Sequence, residues 1–185
     1  MKLTPSSGAS CSISSLSMTT SNDQPRRRPP IRLAEPRDKA RLGQLGAALV
    51  RLHYAFDRDR FMAPQPGVED GYAWFLGEQM NNPDAVVFVA EQDGAVVGYV
   101  YASLEPRSWN ELRDAAGFIH DVVVDESARG GGVGTQLVEA AARWLEKKGA
   151  PRIMLWSAHQ NTGGQRLFER LGFRRTMVEM TREVG

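Results

Sequence analysis

Apolar positions along this chain alternate between a two-residue and a three-to-four-residue period, and that alternation predicts the elements. Ile31-Arg32-Leu33 reads as a short strand, and Pro36 then opens a helix carrying Leu42, Leu45, Leu49 and Leu52 at helical spacing. Residues 55–68, with two prolines and several charges, read as an irregular connection. A second helix is expected from about Glu69 to Met80, ended by Asn81-Asn82-Pro83. Ala85–Glu91 and Ala95–Leu104 form two strands around Asp93-Gly94, a strong hairpin signal. After a polar loop at 105–117, Phe118–Val124 is a β-branched run suited to a buried strand. A helix beginning near Gly131 aligns Val133, Leu137, Ala140, Ala141, Trp144 and Leu145 on one face and ends at Gly149. Ile153–Trp156 reads as a strand, Asn161–Leu171 as a short helix and Phe173–Arg182 as a last strand. The order predicts an α/β fold with a mixed, mostly antiparallel central sheet flanked by helices.

Residues 1–30 lack that periodicity. They are rich in Ser, Thr, Pro and Gly and close on Arg26-Arg27-Arg28-Pro29-Pro30, so they read as a disordered tail ahead of one domain at 31–185. Met18 is an alternative start. The tail carries a net charge of +3 (Lys2, Arg26, Arg27 and Arg28 against Asp23), which leaves −2 for the domain out of a total of +1. A mildly acidic domain gives no electrostatic case for a nucleic-acid partner. The 185 residues are 42% hydrophobic and include no apolar run long enough for a membrane span, so a membrane association is not expected and a cytoplasmic location follows by default. The single cysteine, Cys11, excludes an internal disulfide and sits in a serine-rich stretch unsuited to a catalytic thiol. No metal is expected.

The chemistry-bearing segment follows the strand ending at Val124. Arg129-Gly130-Gly131-Gly132-Val133-Gly134-Thr135 is a glycine-rich turn running into a helix, where N–H groups without intrahelical partners and the positive end of the helix dipole suit a pyrophosphate. A P-loop is excluded because no Lys follows the glycines. A dinucleotide fingerprint fails because its third glycine would fall on Leu137 or Thr135. A ligand-free glycine-rich helix entry is the alternative left open.

Arg129-x-x-Gly132-x-Gly134 after a Val-x-Val strand resembles the acetyl-CoA-binding motif of the GNAT superfamily of N-acetyltransferases, and Asn161-x-x-Gly164-x-x-Leu167-Phe168-x-x-Leu171-Gly172-Phe173 is similar to that family's second hallmark. The resemblance implies acetyl-CoA as co-substrate. Along Val122, Val123 and Val124, the main chain at Val122 and Val124 would pair with the pantetheine arm like an added strand, and the N–H near Val124 would polarise the thioester carbonyl. Arg129 to Thr135 would hold the pyrophosphate, and Asn161 would bond the pantetheine or orient the helix beneath it. The family usually has a tyrosine, credited with protonating the leaving thiolate, where this chain has Phe168. Tyr99, Tyr101 or water would then substitute.

The acceptor implied is a primary amine of a small molecule or peptide, which must lose a proton before it attacks. His120 and Asp121 lie on the thioester-bearing strand and are the candidate bases; strict alternation would turn one of them away from the cleft. His53, His159 and the acidic set Glu105, Glu111 and Asp114 with Trp109 are weaker candidates. Two rival readings stand beside direct acetyl transfer: a noncatalytic CoA-binding module, consistent with Phe168, and an acetyltransferase acting on a protein N-terminus, a lysine or an aminoacyl-RNA. A homodimer is left open.

Overall fold

The computed structural model describes residues 28–184. Five strands, β1 (Ile31–Leu33), β2 (Ala85–Gln92), β3 (Ala95–Glu105), β4 (Ala116–Val124) and β5 (Ile153–Leu155), form one sheet in sequence order. The first three pairings are antiparallel and only β4 with β5 is parallel. Four helices complete the fold: α1 (Lys39–Phe56), α2 (Val68–Gln79), α3 (Val133–Lys147) and α4 (Thr162–Arg170). The mixed, mostly antiparallel sheet with flanking helices is the fold the periodicities predict.

Strand alternation divides the buried side chains between two layers. Val87, Val89, Tyr99, Tyr101 and Val123 pack with Leu42 and Leu45 of α1 and Leu76 of α2 on one face. On the other, Val86, Val100, Ala102 and Ile119 pack with Val133, Leu137, Val138, Ala141 and Leu145 of α3, and α4 adds Phe168 and Leu171. The β2–β3 turn has Asp93 and Gly94 both at positive φ (51° and 77°), the mirror-image turn geometry that an Asp-Gly pair favours. The N-terminal edge of the domain is tied in before β1: Pro29 is buried and the Pro30 carbonyl accepts the Glu91 N–H. The remainder of the expected tail lies outside the described residues, as do Cys11 and Met18.

One expected element is absent. Phe173–Arg182 forms no strand; residues 174–184 are exposed and held by side-chain bonds, Arg175 to Glu169 and Gln165, and Arg60 to Glu179. The segment has β-forming residues, yet a strand exists only as part of a ladder, and no neighbouring strand pairs with this one among the described residues.

Candidate active site

The site grows from an irregularity in β4. Tyr101 pairs with Asp121 but Ala102 pairs with Ile119, so His120 is an extra residue in β4, a β-bulge. The bulge breaks the alternation that would have sent His120 and Asp121 to opposite faces. Both side chains lie on the α1/α2 face: His120 stacks on Tyr101 (centroids 4.6 Å apart), and Asp121 accepts hydrogen bonds from Tyr72 of α2 (2.8 Å) and Tyr99 of β3 (3.0 Å). This shared face corrects the expectation that one of them turns away.

The two groups differ in what surrounds them. His120 is held between the rings of Tyr101 and Phe118, and Phe118 meets the edge of Trp156 at 5.1 Å. Its Nε2 lies 2.8 Å from Ser103 Oγ and 3.4 Å from Glu105 Oε1, and Ser103 Oγ donates to the same carboxylate at 3.1 Å. Burial lowers the imidazole pKa, partly opposed by Glu105 and Asp121. The lowered pKa favours the neutral imidazole, the form able to take up a proton, and a carboxylate is placed to stabilise the cation. Asp121 is half-buried, and desolvation raises its pKa despite the two phenol bonds.

Both phenols donate to the same oxygen, Oδ2, which gives a stability prediction. The carbonyl oxygen of Asp121→Asn preserves both bonds without the half-buried charge, whereas Asp121→Ala leaves the buried Tyr99 phenol unpaired at a cost of ~1–3 kcal/mol and the half-buried Tyr72 phenol at a smaller one. The native pKa exceeds the unfolded one, so the native state binds the proton more tightly. Wild-type stability should fall as pH rises from the ordinary carboxylate value through the raised native value. Thermal unfolding across pH should show the Asn variant free of that loss and the Ala variant destabilised throughout.

Beside this pair lies an open strand edge. β4 pairs with β5 only at Gly117, Phe118 and Ile119, while β4 continues to Val124 with no strand beside it on that side among the described residues. Asp125 N–H bonds the Val97 carbonyl of β3, so Val123, two residues earlier, also faces β3, and Val122 and Val124 turn their main-chain groups to the open edge, the pair that the sequence resemblance assigns to an added extended chain. At the end of β4, Asp125 accepts bonds from Ser127 Oγ (2.6 Å) and its N–H (3.0 Å) and from Arg41 of α1 (2.6 Å). These bonds, those from Ser127 first, hold its carboxyl down to about 2, so the turn is braced by a fixed charge.

The turn has the features of an anion cradle. Gly130 and Gly132 adopt left-handed φ values of 79° and 81°, and a Cβ on either would meet no protein atom within 4 Å. α3 starts on Gly132 with no side-chain cap and no acid in its first turn. None of the N–H groups from Gly130 through Thr135 (Gly131, Val133 and Gly134 included) donates to a protein acceptor among the described residues. Six free donors at an uncapped helix start suit phosphate oxygens by geometry and by the sign of the helix dipole. Arg129 folds back, its Nε donating to the Val124 carbonyl at 3.1 Å. Gly134 has a different role: a Cβ there would touch Leu167 Cδ2 at 3.1 Å, so it sets the approach of α4 to α3.

Two further observations suit a bound polar ligand. Gln136 Oε1 on α3 and Ser157 Oγ just after β5 are buried without hydrogen-bond partners, an arrangement that native proteins rarely leave unsatisfied. Asn161 caps α4, its Oδ1 accepting the Gly164 N–H at 3.0 Å, which is the helix-orienting alternative of its two expected roles. Phe168 sits partly buried with its ring 6.0 Å from that of Phe173. Neither candidate substitute for its missing phenol is free: Tyr99 bonds Asp121 and Tyr101 bonds Gln79 (3.2 Å), and burial raises both pKa values. His53 is engaged with the Leu49 carbonyl and the rings of Phe56 and Phe61, and His159 lies exposed at the entry to α4. Sequence reasoning missed Ser103, Phe118, Tyr72 and Trp156, whose roles appear only when β3, β4, β5 and α2 are brought together. Glu105 was visible only as one of several loop acids.

Among the described residues, no cluster of three or more His, Cys, Asp or Glu could hold a metal, and no helix is long and apolar enough to cross a membrane. Residues 49–173 match the acetyltransferase (GNAT) family. Over 100 residues the chain is 34% identical to an uncharacterised N-acetyltransferase of Methanocaldococcus jannaschii, covering 54% of this chain and 44% of that protein. Over 96 residues it is 34% identical to a mycothiol acetyltransferase of Thermomonospora curvata, covering 52% and 30%. The chain thus spans less than half the length of these curated relatives. An aminoglycoside N-acetyltransferase solved in complex with CoA superposes with a TM-score of 0.67 at 23% identity, covering 84% of this chain and 93% of the other. A Bacillus halodurans protein does so with a TM-score of 0.70 at 21% identity, covering 84% and 99%. These two likenesses are of fold.

Proposed function

This chain belongs to the acetyltransferase (GNAT) family, and on that premise we propose that it transfers the acetyl group of acetyl-CoA directly to a primary amine of a small molecule or peptide, with His120 as the base. The observation that carries the reading is the run of main chain formed by the open edge of β4 and, past the internally bonded turn at Asp125–Arg129, the six free N–H groups of Gly130–Thr135. An extended thioester arm ending in a pyrophosphate matches that run in shape and charge. Buried, unpartnered Gln136 Oε1 and Ser157 Oγ add polar groups for the arm to satisfy. Bound there, acetyl-CoA supplies an activated acetyl group, whose C–S bond is exchanged for the new C–N bond as CoA thiol departs.

The chain's residues supply the rest. The glycine turn holds the pyrophosphate through its N–H groups, and Arg129 reaches it by giving up its bond to the Val124 carbonyl and its pairing with Glu126. Val122 to Val124 align the arm, and the N–H near Val124 polarises the carbonyl. His120 takes the ammonium proton, and Ser103 and Glu105 hold the imidazole and stabilise its cation. Asp121 positions Tyr72 and Tyr99, and with them α2, beneath the acceptor.

Phe168 favours a second reading, a CoA-binding module that has lost its acid. A thiol with pKa near ~8.5 leaves largely unassisted, however, and a hydroxyl buried without a partner costs ~1–3 kcal/mol. Phe168→Tyr should accordingly be neutral or harmful to kcat on an accepted amine. A tenfold gain would mark the acid as the missing part.

Acetyl-CoA at a hundredfold excess over its Kd should stabilise the native protein by about 2.7 kcal/mol, which for a chain of this size is roughly 5–10 °C in Tm. CoA thiol release should then depend on an added amine. An unshifted Tm at millimolar acetyl-CoA would refute the cofactor assignment, and a shift without amine-dependent thiol release would favour the binding module.

A further inference from the structure

The surroundings of His120 carry information about the acceptor. Tyr101, His120, Phe118 and Trp156 form a chain of ring contacts of 4.6, 5.0 and 5.1 Å along the α1/α2 face of the sheet. The chain begins in the core at Tyr101 and ends in solvent at Trp156, which is 72% exposed. Beyond β3, a loop closed by a Ser108–Arg113 bridge holds Trp109 and Leu112 out in solvent, 78% and 88% exposed. Leu112 has a φ of 50°, a left-handed conformation that costs a branched side chain energy. Aromatic and apolar surface presented at such cost, on the loop that follows Glu105, fits a recognition surface for an apolar group.

The charges beside it are almost all neutralised. Arg107 pairs with Asp114 at 2.7 Å, and Arg113 pairs with Glu111, lies 3.6 Å from Glu105 Oε2, and caps the Phe118 ring. Asp121 is half-buried and bonded by two phenols. What remains is the Glu105 carboxylate, whose Oε1 accepts only the neutral Ser103 hydroxyl and faces His120. A polycation brought into this mouth would find one anionic partner for its several charges and would leave others beside the guanidinium groups of Arg107 and Arg113. A single ammonium finds its partner in Glu105 and the faces of electron-rich rings.

We propose that the acceptor is an arylalkyl monoamine, its ammonium directed to Glu105 and His120 and its ring seated against Trp156. This rests on the acetyl-transfer reading above and adds the substrate class to it. Its test compares 2-phenylethylamine, n-butylamine, spermidine and the aminoglycoside kanamycin as acceptors with the full chain, alongside the Tm shift with acetyl-CoA. The expected result is a kcat/KM for 2-phenylethylamine at least tenfold above each of the others. Trp156→Ala should lower that value about tenfold, chiefly through KM, and so cut the preference for 2-phenylethylamine over butylamine by a similar factor, with the acetyl-CoA Tm shift retained. Preference for spermidine or kanamycin would overturn the proposal, as would an equal loss on all amines in Trp156→Ala. Inert 2-phenylethylamine in a protein that acetyl-CoA still stabilises would overturn the substrate class alone. A missing Tm shift would instead bring down the acetyl-transfer reading beneath it.

Discussion

Replacing Gly132 with alanine is expected to weaken CoA binding by about a hundredfold while leaving a folded protein. Gly132 adopts φ 81° at the start of α3, and the N–H groups on either side of it have no protein acceptor among the described residues. A Cβ there meets no protein atom within 4 Å, so the methyl would occupy only the space above the turn. Two disturbances combine: the left-handed conformation costs alanine ~1–2 kcal/mol, and relaxing out of it turns N–H groups away from the phosphates. Losing two hydrogen bonds to a charged group, at ~1.5–3 kcal/mol each, accounts for a hundredfold or more in affinity. The strain term alone would lower Tm by only ~2–8 °C in a domain of this size. Gly134→Ala is the control. Its methyl would press on the tip of Leu167 at 3.1 Å rather than on the turn, and both affinity and stability should change little. Isothermal titration calorimetry with CoA on both variants, with thermal scans of each, checks the pair; equal affinity in Gly132→Ala and wild type would make the turn purely structural.

The second large effect belongs to His120. His120→Gln removes the base while keeping a polar group near Ser103, and a positioned base contributes about 10²–10⁴-fold in rate. Turnover should fall in that range with CoA affinity and Tm close to wild type. The pH profile gives the sharper signature. Because burial lowers the imidazole pKa, wild-type kcat/KM should rise with pH through a value below 6.5 as the base loses its proton. In His120→Gln that acid limb should vanish, and the rate should climb with pH toward the amine's own pKa near ~10, following the fraction of free amine. An unchanged profile would place the base elsewhere.

The parts of the site legible in the sequence are those with local causes. Asp93-Gly94 specifies its turn because both residues tolerate positive φ, and Gly130 to Gly134 mark a turn and helix start because the same freedom is needed there. Asn161 caps α4 three residues ahead of the N–H it accepts, again a local relation. The bulge at His120 was not legible: no glycine or proline marks it, and it follows from the register between β3 and β4. Missing it reverses the predicted direction of a catalytic candidate, since a single extra residue turns the side chain to the other face. The Tyr72–Asp121 bond joins residues 49 apart, and the Phe118–Trp156 contact spans a parallel crossover, so neither leaves a trace in spacing. The missing last strand has the same origin: Phe173–Arg182 has the local β-propensity of a strand, but a ladder needs a partner.

Acetyl transfer itself is tested most directly by mass spectrometry of the amide formed from acetyl-CoA and 2-phenylethylamine, n-butylamine and a lysine-containing peptide, with free CoA thiol titrated in the same samples. Direct transfer with His120 as base predicts one acetylated amine per thiol released, at a rate that scales with enzyme and collapses in His120→Gln. Acetyl-CoA that stabilises the protein yet yields neither amide nor thiol above the enzyme-free rate with any of these amines would contradict it.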